Sequence, residues 1–326
     1  MNKQKSDFTF GIYASSACAY LDGRPTGGPP DDASAIIKAL DELQAAAADF
    51  LVRTYASYEY FPDDETYTLG DHQLRDSLRY LANGRKIDLV LSFQNENDPE
   101  LIGWKKMIKK AIKDFGPHIA KIQVTEEANA SLAPVDGHYE GAIEALVEGV
   151  VFAKKEVNDQ KLNIAIGFNA APDMDPDQLF WKKIAELASD DFYRSLDYIG
   201  LDCFPDVFQP IDQSKMEESL YQLLKMFKLK NLKTAGIPDT IPLHITENGW
   251  PTNAKRSEKK QSEVLECVIR TIHRHRKEFN ITHYEHFGLR DANSQEEDIM
   301  NRFGIMRDDY SPKPAFYSYK KLIAEL

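Results

Sequence analysis

Two short stretches place glutamates where strand-like runs end. One is Val124-Thr125-Glu126-Glu127-Ala128-Asn129 and the other is His244-Ile245-Thr246-Glu247-Asn248-Gly249-Trp250-Pro251. A carboxylic acid and a carboxylate flanking one acetal bond do a defined piece of chemistry. The acid protonates the leaving oxygen while the carboxylate attacks the anomeric carbon, at a separation of roughly 5–5.5 Å; a wider gap admits an attacking water instead. A glutamate after a strand is more often a surface group, but Glu247 has informative neighbours. Gly249 allows close backbone approach, Trp250 offers an aromatic floor for a sugar face, and Pro251 fixes the exit of the chain.

The elements that must position these groups recur along the whole chain. Apolar, β-rich runs are read at Phe8–Ala14, Phe50–Tyr55, Ile87–Phe93, Ile119–Thr125, Leu162–Phe168, Tyr198–Phe204, Leu243–Thr246 and Ile281–Phe287. Helical periodicity follows at Asp32–Ala48, Leu101–Phe115, His138–Val157, Asp177–Ser189, Ser214–Phe227, Ser257–Phe279 and Pro312–Leu326. Strands joined by crossover helices predict an α/β protein, a single (β/α)8 TIM barrel with residues 1–326 as one catalytic domain. An open doubly wound sheet is the weaker alternative, because no GxGxxG turn follows the first strand.

In such a barrel the reacting groups come from the carboxyl ends of the strands. Those ends read Tyr13, then Arg53 and Tyr55, Gln94 and Asn95, Glu126 and Glu127, Asn169, Asp202, Glu247 with Trp250, and Arg290 with Asp291. The fourth and seventh strands face one another across the mouth, so a carboxyl from each can flank one bond. Strand alternation would aim only one of Glu126 and Glu127 inward, and a register shift of one exchanges the two. Arg53 reads as the partner of Glu247 or as a structural ion pair, and Tyr13 and Tyr55 as substrate contacts or as core. Arg290 and Asp291 read as a structural pair and His286 as a residue that shapes a subsite.

A strand-4 end with a short glutamate motif and a strand-7 end reading Thr-Glu-Asn-Gly-Trp-Pro resemble the clan A glycoside hydrolases. The resemblance implies a retaining (β/α)8 enzyme with Glu247 as nucleophile and Glu127 as acid/base, acting on a β-linked glycoside. Arg53 in Val52-Arg53-Thr54-Tyr55 resembles the clan's strand-2 arginine, which hydrogen-bonds the nucleophile. Two departures stand out. Glu126 occupies the place of the asparagine that holds the sugar 2-hydroxyl, and its charge is expected to raise the pKa of Glu127. Phe204 occupies the place of a tyrosine that contacts the nucleophile in many relatives. Both departures motivate a second reading, a non-catalytic or impaired carbohydrate-binding barrel derived from such an enzyme. Tyr13, Tyr55, Glu126, Asn169, Asp202, Phe204 and Trp250 complete the expected substrate-binding or supporting set.

Composition narrows the partners. A net charge of −12 argues against nucleic acid and against an anionic membrane, and no apolar run is long enough to span one. A small carbohydrate or glycoside is the expected partner. No metal and no cofactor are expected: His273 and His275 stand two apart on a helix and cannot face one ion. No strand-end lysine is placed for a Schiff base and no phosphate-gripping glycine motif follows the last strands, which argues against an aldolase-like barrel. Three widely spaced cysteines, Cys18, Cys203 and Cys267, suit free thiols, and Met1 to Asp7 carries no secretory pattern, so a cytoplasmic location is expected.

Overall fold

A computed structural model describes residues 7–326 apart from 46, 48, 62–65, 96 and 97. The strands are β1 (Thr9–Tyr13), β2 (Phe50–Phe61), β3 (Thr66–Gly70), β4 (Lys86–Ser92), β5 (Ile119–Val124), β6 (Ala165–Ala170), β7 (Tyr198–Asp202), β8 (Leu243–Asn248) and β9 (Ile281–Phe287). The sheet order is β1-β9-β8-β7-β6-β5-β4-β2-β3, and a further parallel pairing of β1 with β2 closes it. Eight parallel strands thus form a closed barrel, as the spacing of apolar runs predicts.

The crossover helices include α1 (Ala33–Gln44), α2 (His72–Ser77), α3 (Ile102–Phe115), α4 (Ala142–Asp159), α5 (Leu179–Leu187), α6 (Asp190–Ser195), α7 (Met216–Met226), α8 (Leu232–Thr234), α9 (Glu258–Phe279) and α10 (Pro314–Glu325). Each of the long ones turns an apolar stripe to the barrel, as in α3, where Trp104, Ile108, Ala111 and Ile112 are buried. Asp32 and Ser257 cap α1 and α9 by accepting backbone N–H groups of the first turn. The expected first helix ran on to Ala48; α1 stops at Gln44, and Ala46 and Ala48, like Met1 to Ser6, lie outside the described residues. No helix among the described residues is long and apolar enough to cross a membrane.

Two differences from the expected elements affect the mouth. β2 does not end at Tyr55 but runs on to Phe61 and pairs antiparallel with β3, from Ser57 opposite Gly70 to Phe61 opposite Thr66. The chain between Tyr55 and α2 is therefore largely a strand pair. β5 ends at Val124, before the pair of glutamates, and the chain turns there with positive φ at Thr125 (66°) and Glu127 (44°).

The barrel interior is partly charged. Arg53 Nη1 donates to Asp88 Oδ2 at 2.7 Å, Lys121 lies 3.4 Å from the same oxygen, and Lys121 also donates to Glu285. All four side chains are fully buried. Burial by itself would raise the Asp88 carboxyl, but Lys121 and Arg53 hold it below the usual carboxylate range. Opposed charges at these spacings fix the direction of Arg53, because removing one partner would strand another in a dry core.

Candidate active site

Glu247 sits near the top of β8. A register shift in the β7–β8 pairing, after Leu201 opposite Ile245, sets Asp202 opposite Glu247. Such irregularities at a barrel rim re-aim side chains, and here two consecutive residues reach different partners. Thr246 Oγ1 donates to Asp202 Oδ1 at 2.6 Å, while Glu247 Oε1 accepts from Arg53 Nε at 3.1 Å. Gly200 is required beneath them, since a Cβ there would lie 2.6 Å from Thr246 Oγ1. The Tyr55 hydroxyl also donates to Glu247 Oε1. Two donors on one oxygen suit a carboxylate held as a nucleophile.

The hydroxyl contact that Phe204 cannot make is thus supplied by Tyr55 from the other side of the barrel. We expect Tyr55→Phe to keep the fold and to lower kcat by about 10²-fold, the scale for losing one donor aimed at a reacting oxygen. An unchanged kcat on an aryl glycoside would reduce Tyr55 to a packing residue.

The turn after β5 brings both neighbouring glutamates to the cavity. Strand alternation does not apply, because the strand has already ended and positive φ at Thr125 and Glu127 redirects the chain. Such a conformation persists only where the surroundings over-determine it. Asp136 Oδ2 accepts from Glu126 N at 2.8 Å and from Phe93 N at 2.8 Å, and Asn169 Oδ1 accepts from Glu127 N at 2.8 Å. Asn169 Nδ2 donates in turn to Asp202. Asn169 and Asp202 therefore aim the Glu127 turn, and Asn169 itself does not line the cavity.

Glu126 and Glu127 differ in their surroundings. Glu126 accepts from Gln123 Nε2 at 2.6 Å and lies 3.6 Å from Arg53 Nη2. Burial, then the charges of Glu247 and Asp202, push its carboxyl well above the usual range. Burial and then Glu247 push the Glu127 carboxyl up to about 8. Glu247 is the charge that raises Glu127, and the repulsion expected between Glu126 and Glu127 is expressed on Glu126, whose carboxyl Glu127 helps to raise. No protein group among the described residues hydrogen-bonds the Glu127 carboxyl, which leaves its proton available.

Glu126, Asp202 and Glu247 each bring a carboxylate oxygen within 4.8 Å of the others. Among the described residues they are the group whose spacing could hold a cation. The Arg53 guanidinium already stands beside two of them, and Gln123, Asn169, Thr246 and Tyr55 donate to the three.

A cavity of about 780 Å³ opens above these groups, lined at its floor by Tyr13, Tyr55, Glu126, Glu127, Asp202 and Glu247. Tyr13 donates to Ala17 O, accepts from Gln73 Nε2 and stacks on Phe287 with centroids 4.9 Å apart. Phe204 lines the wall against Phe287 and Phe303. Cys18 and Leu21 reach the cleft from the loop after β1, Gly70 from the end of β3, and His72 and Gln73 from the start of α2.

Three readings are corrected. Trp250 is buried behind the wall and offers no floor to a sugar: its ring packs under Arg256 and its Nε1 donates to Asp206 Oδ2 at 3.1 Å. Gly249 makes the close backbone approach expected of it, to the Phe287 carbonyl, which a Cβ would meet at 2.1 Å, but it does not line the cavity. Arg290 and Asp291 do not pair with each other but with Asp31 and Lys313. His286 lies buried beside Tyr284 and Tyr319, away from the cavity.

Gln123 and Asp136 were not singled out from sequence. Gln123 had a signal, since Lys121 and Gln123 alternate as polar residues in an otherwise apolar strand and so point into the barrel. Asp136 had none, as it sits in an ordinary Pro-Val-Asp-Gly turn.

No family model and no curated protein sequence matches the chain. Solved structures do. A family 39 glycoside hydrolase from Bacteroides cellulosilyticus superposes with a TM-score of 0.63 at 15% identity, over 99% of this chain and 65% of that one. A β-glucosidase from Thermotoga maritima in complex with deoxynojirimycin gives 0.65 at 13% identity, over 99% of both chains. A family 17 β-1,3-glucanosyltransferase from Rhizomucor miehei gives 0.61 at 13% identity, over 96% of this chain and 97% of that one. The chain spans about two thirds of the first of these proteins and nearly all of the other two. At such identities the likeness establishes the architecture: a closed (β/α)8 barrel of the kind that clan A glycoside hydrolases share.

Proposed function

We propose that this chain is a retaining glycoside hydrolase that cleaves a β-linked glycoside by double displacement. The observation that carries the reading is a pair of glutamates held in different surroundings at one cavity floor. Glu247 takes two donors from Arg53 and Tyr55, and Glu127 keeps its proton up to about pH 8. Glu127 gives that proton to the leaving oxygen as Glu247 attacks the anomeric carbon, and the leaving group departs as an alcohol. Glu127, now a carboxylate, takes a proton from water, whose oxygen displaces Glu247 and restores both groups. The barrels of similar structure named above, a glycoside hydrolase, a β-glucosidase and a glucanosyltransferase, support sugar chemistry at this mouth. The hydroxyl that Tyr55 offers Glu247 favours turnover over sugar binding alone.

The test is hydrolysis of a panel of aryl α- and β-glycosides, with the first-formed anomer read by proton NMR. We expect turnover of a β-glycoside with the β-hemiacetal appearing first. First appearance of the α-anomer would replace the covalent step by direct attack of water, and silence across the panel would favour a binding barrel.

A further inference from the structure

The cavity carries acids at its floor and a few further polar side chains such as Gln94, Asp206 and Gln209, but most of its lining is apolar. Half of the large hydrophobic side chains that stand exposed among the described residues gather at its mouth: Met174 at 66%, Phe208 at 49%, Leu21 at 47% and Leu132 at 43%. Exposed apolar side chains that converge on a concavity mark a ligand surface, where scattered ones mean nothing. Their position relative to Glu127 is informative. Leu132 is on the same loop as Glu127, and Met174 follows Ala171, which exchanges two hydrogen bonds with Asn129 of that loop (3.0 and 2.9 Å). Pro172, Ile211 and Leu223 extend the same wall. A general acid stands on the leaving-group side of the scissile bond, so this wall faces what departs. No lysine or arginine lines the cavity among the described residues, while five carboxylates, Glu126, Glu127, Asp202, Asp206 and Glu247, do.

Resting on the hydrolase reading, we infer that the substrate is an uncharged glycoside of a bulky apolar alcohol, whose hydrocarbon part is held by Leu132, Met174, Phe208 and their neighbours. A volume of about 780 Å³ accommodates a sugar and such an aglycone together. A polysaccharide would place further hydroxyls against Leu132, Met174 and Phe208, whose side chains cannot receive them. A uronic or phosphorylated sugar would meet these carboxylates with no lysine or arginine in the lining among the described residues.

The experiment is calorimetric binding of methyl and octyl β-D-glucopyranoside, the latter below its micellar concentration, to the full chain carrying Glu247→Gln. The same titrations are made with Leu132→Gln and Met174→Gln added; both side chains are exposed, so the fold tolerates the change, and the thermal midpoint checks it. We expect octyl glucoside to bind at least about 30-fold more tightly than methyl glucoside, with the added substitutions reducing that ratio to about threefold or less. Equal affinities for the two glucosides, or no octyl glucoside binding at a few millimolar, overturn the inference. Turnover of aryl glycosides by the unmodified chain is read separately. Turnover without an octyl preference sinks the aglycone assignment alone, whereas an octyl preference without turnover of any glycoside sinks the hydrolase reading and keeps the ligand class.

Discussion

Glu247→Ala is expected to lower kcat for the best aryl β-glycoside by at least about 10⁴-fold, with little change in the affinity for a non-hydrolysable sugar analogue. The loss has two sources. No atom remains to form the glycosyl-enzyme, and Arg53 and Tyr55 lose the acceptor they share. Arg53 keeps Asp88 at 2.7 Å and Gln123 at 2.9 Å, so the barrel holds and the defect is chemical. Single-turnover kinetics with a slow 2-fluoro glycoside give the complementary readout: the wild-type chain gains the mass of one sugar and the variant gains none. A variant that turned over within tenfold of wild type would remove Glu247 from the reaction.

The second large effect concerns Glu127. Glu127→Gln removes the proton donor, and general acid catalysis contributes about 10²–10⁴-fold. The loss should therefore depend on the leaving group: near the upper figure for an alkyl alcohol and much smaller for a dinitrophenol, which departs without a proton. The pH profile carries the sign. Burial and Glu247 push the Glu127 carboxyl up to about 8, so the reactive, protonated form prevails below that pH and kcat/KM falls as pH rises through it. Because Glu127 and Glu247 interact, that limb belongs to the pair. In Glu127→Gln the limb should vanish. If it survived in the variant while Glu126→Gln abolished it, the acid would be Glu126, the alternative that strand register left open.

Much of this site was legible from residue order. Period-two and period-3.6 apolar patterns are local consequences of strand and helix geometry, and the eight runs read from them are the eight barrel strands. Active-site groups of such a barrel sit at strand ends, which brought Arg53, Tyr55, Glu126, Glu127, Asp202 and Glu247 into one set before any distance was known. The structure places all six together, with Asn169 behind them.

What stayed hidden has a common physical reason. The aim of a side chain at a rim is decided by bulges and turns that depend on neighbouring strands, not by its own type. A strand reading turned one of Glu126 and Glu127 outward, yet the turn fixed by Asp136 and Asn169 brings both to the cavity. Trp250 looked like a sugar platform, yet the close pass of Gly249 over Phe287 turns it inward against Asp206 and Arg256. The Tyr55 hydroxyl reaches Glu247 across 192 positions of chain, a distance over which sequence carries no register. The sequence by itself determined the barrel, the candidate acids and the arginine beside them. Only tertiary structure decided which hydroxyl meets Glu247, which glutamate carboxyl has no hydrogen-bond partner among the described residues, and that four exposed apolar side chains gather at the mouth above them, because each depends on loops from separate strands converging in space.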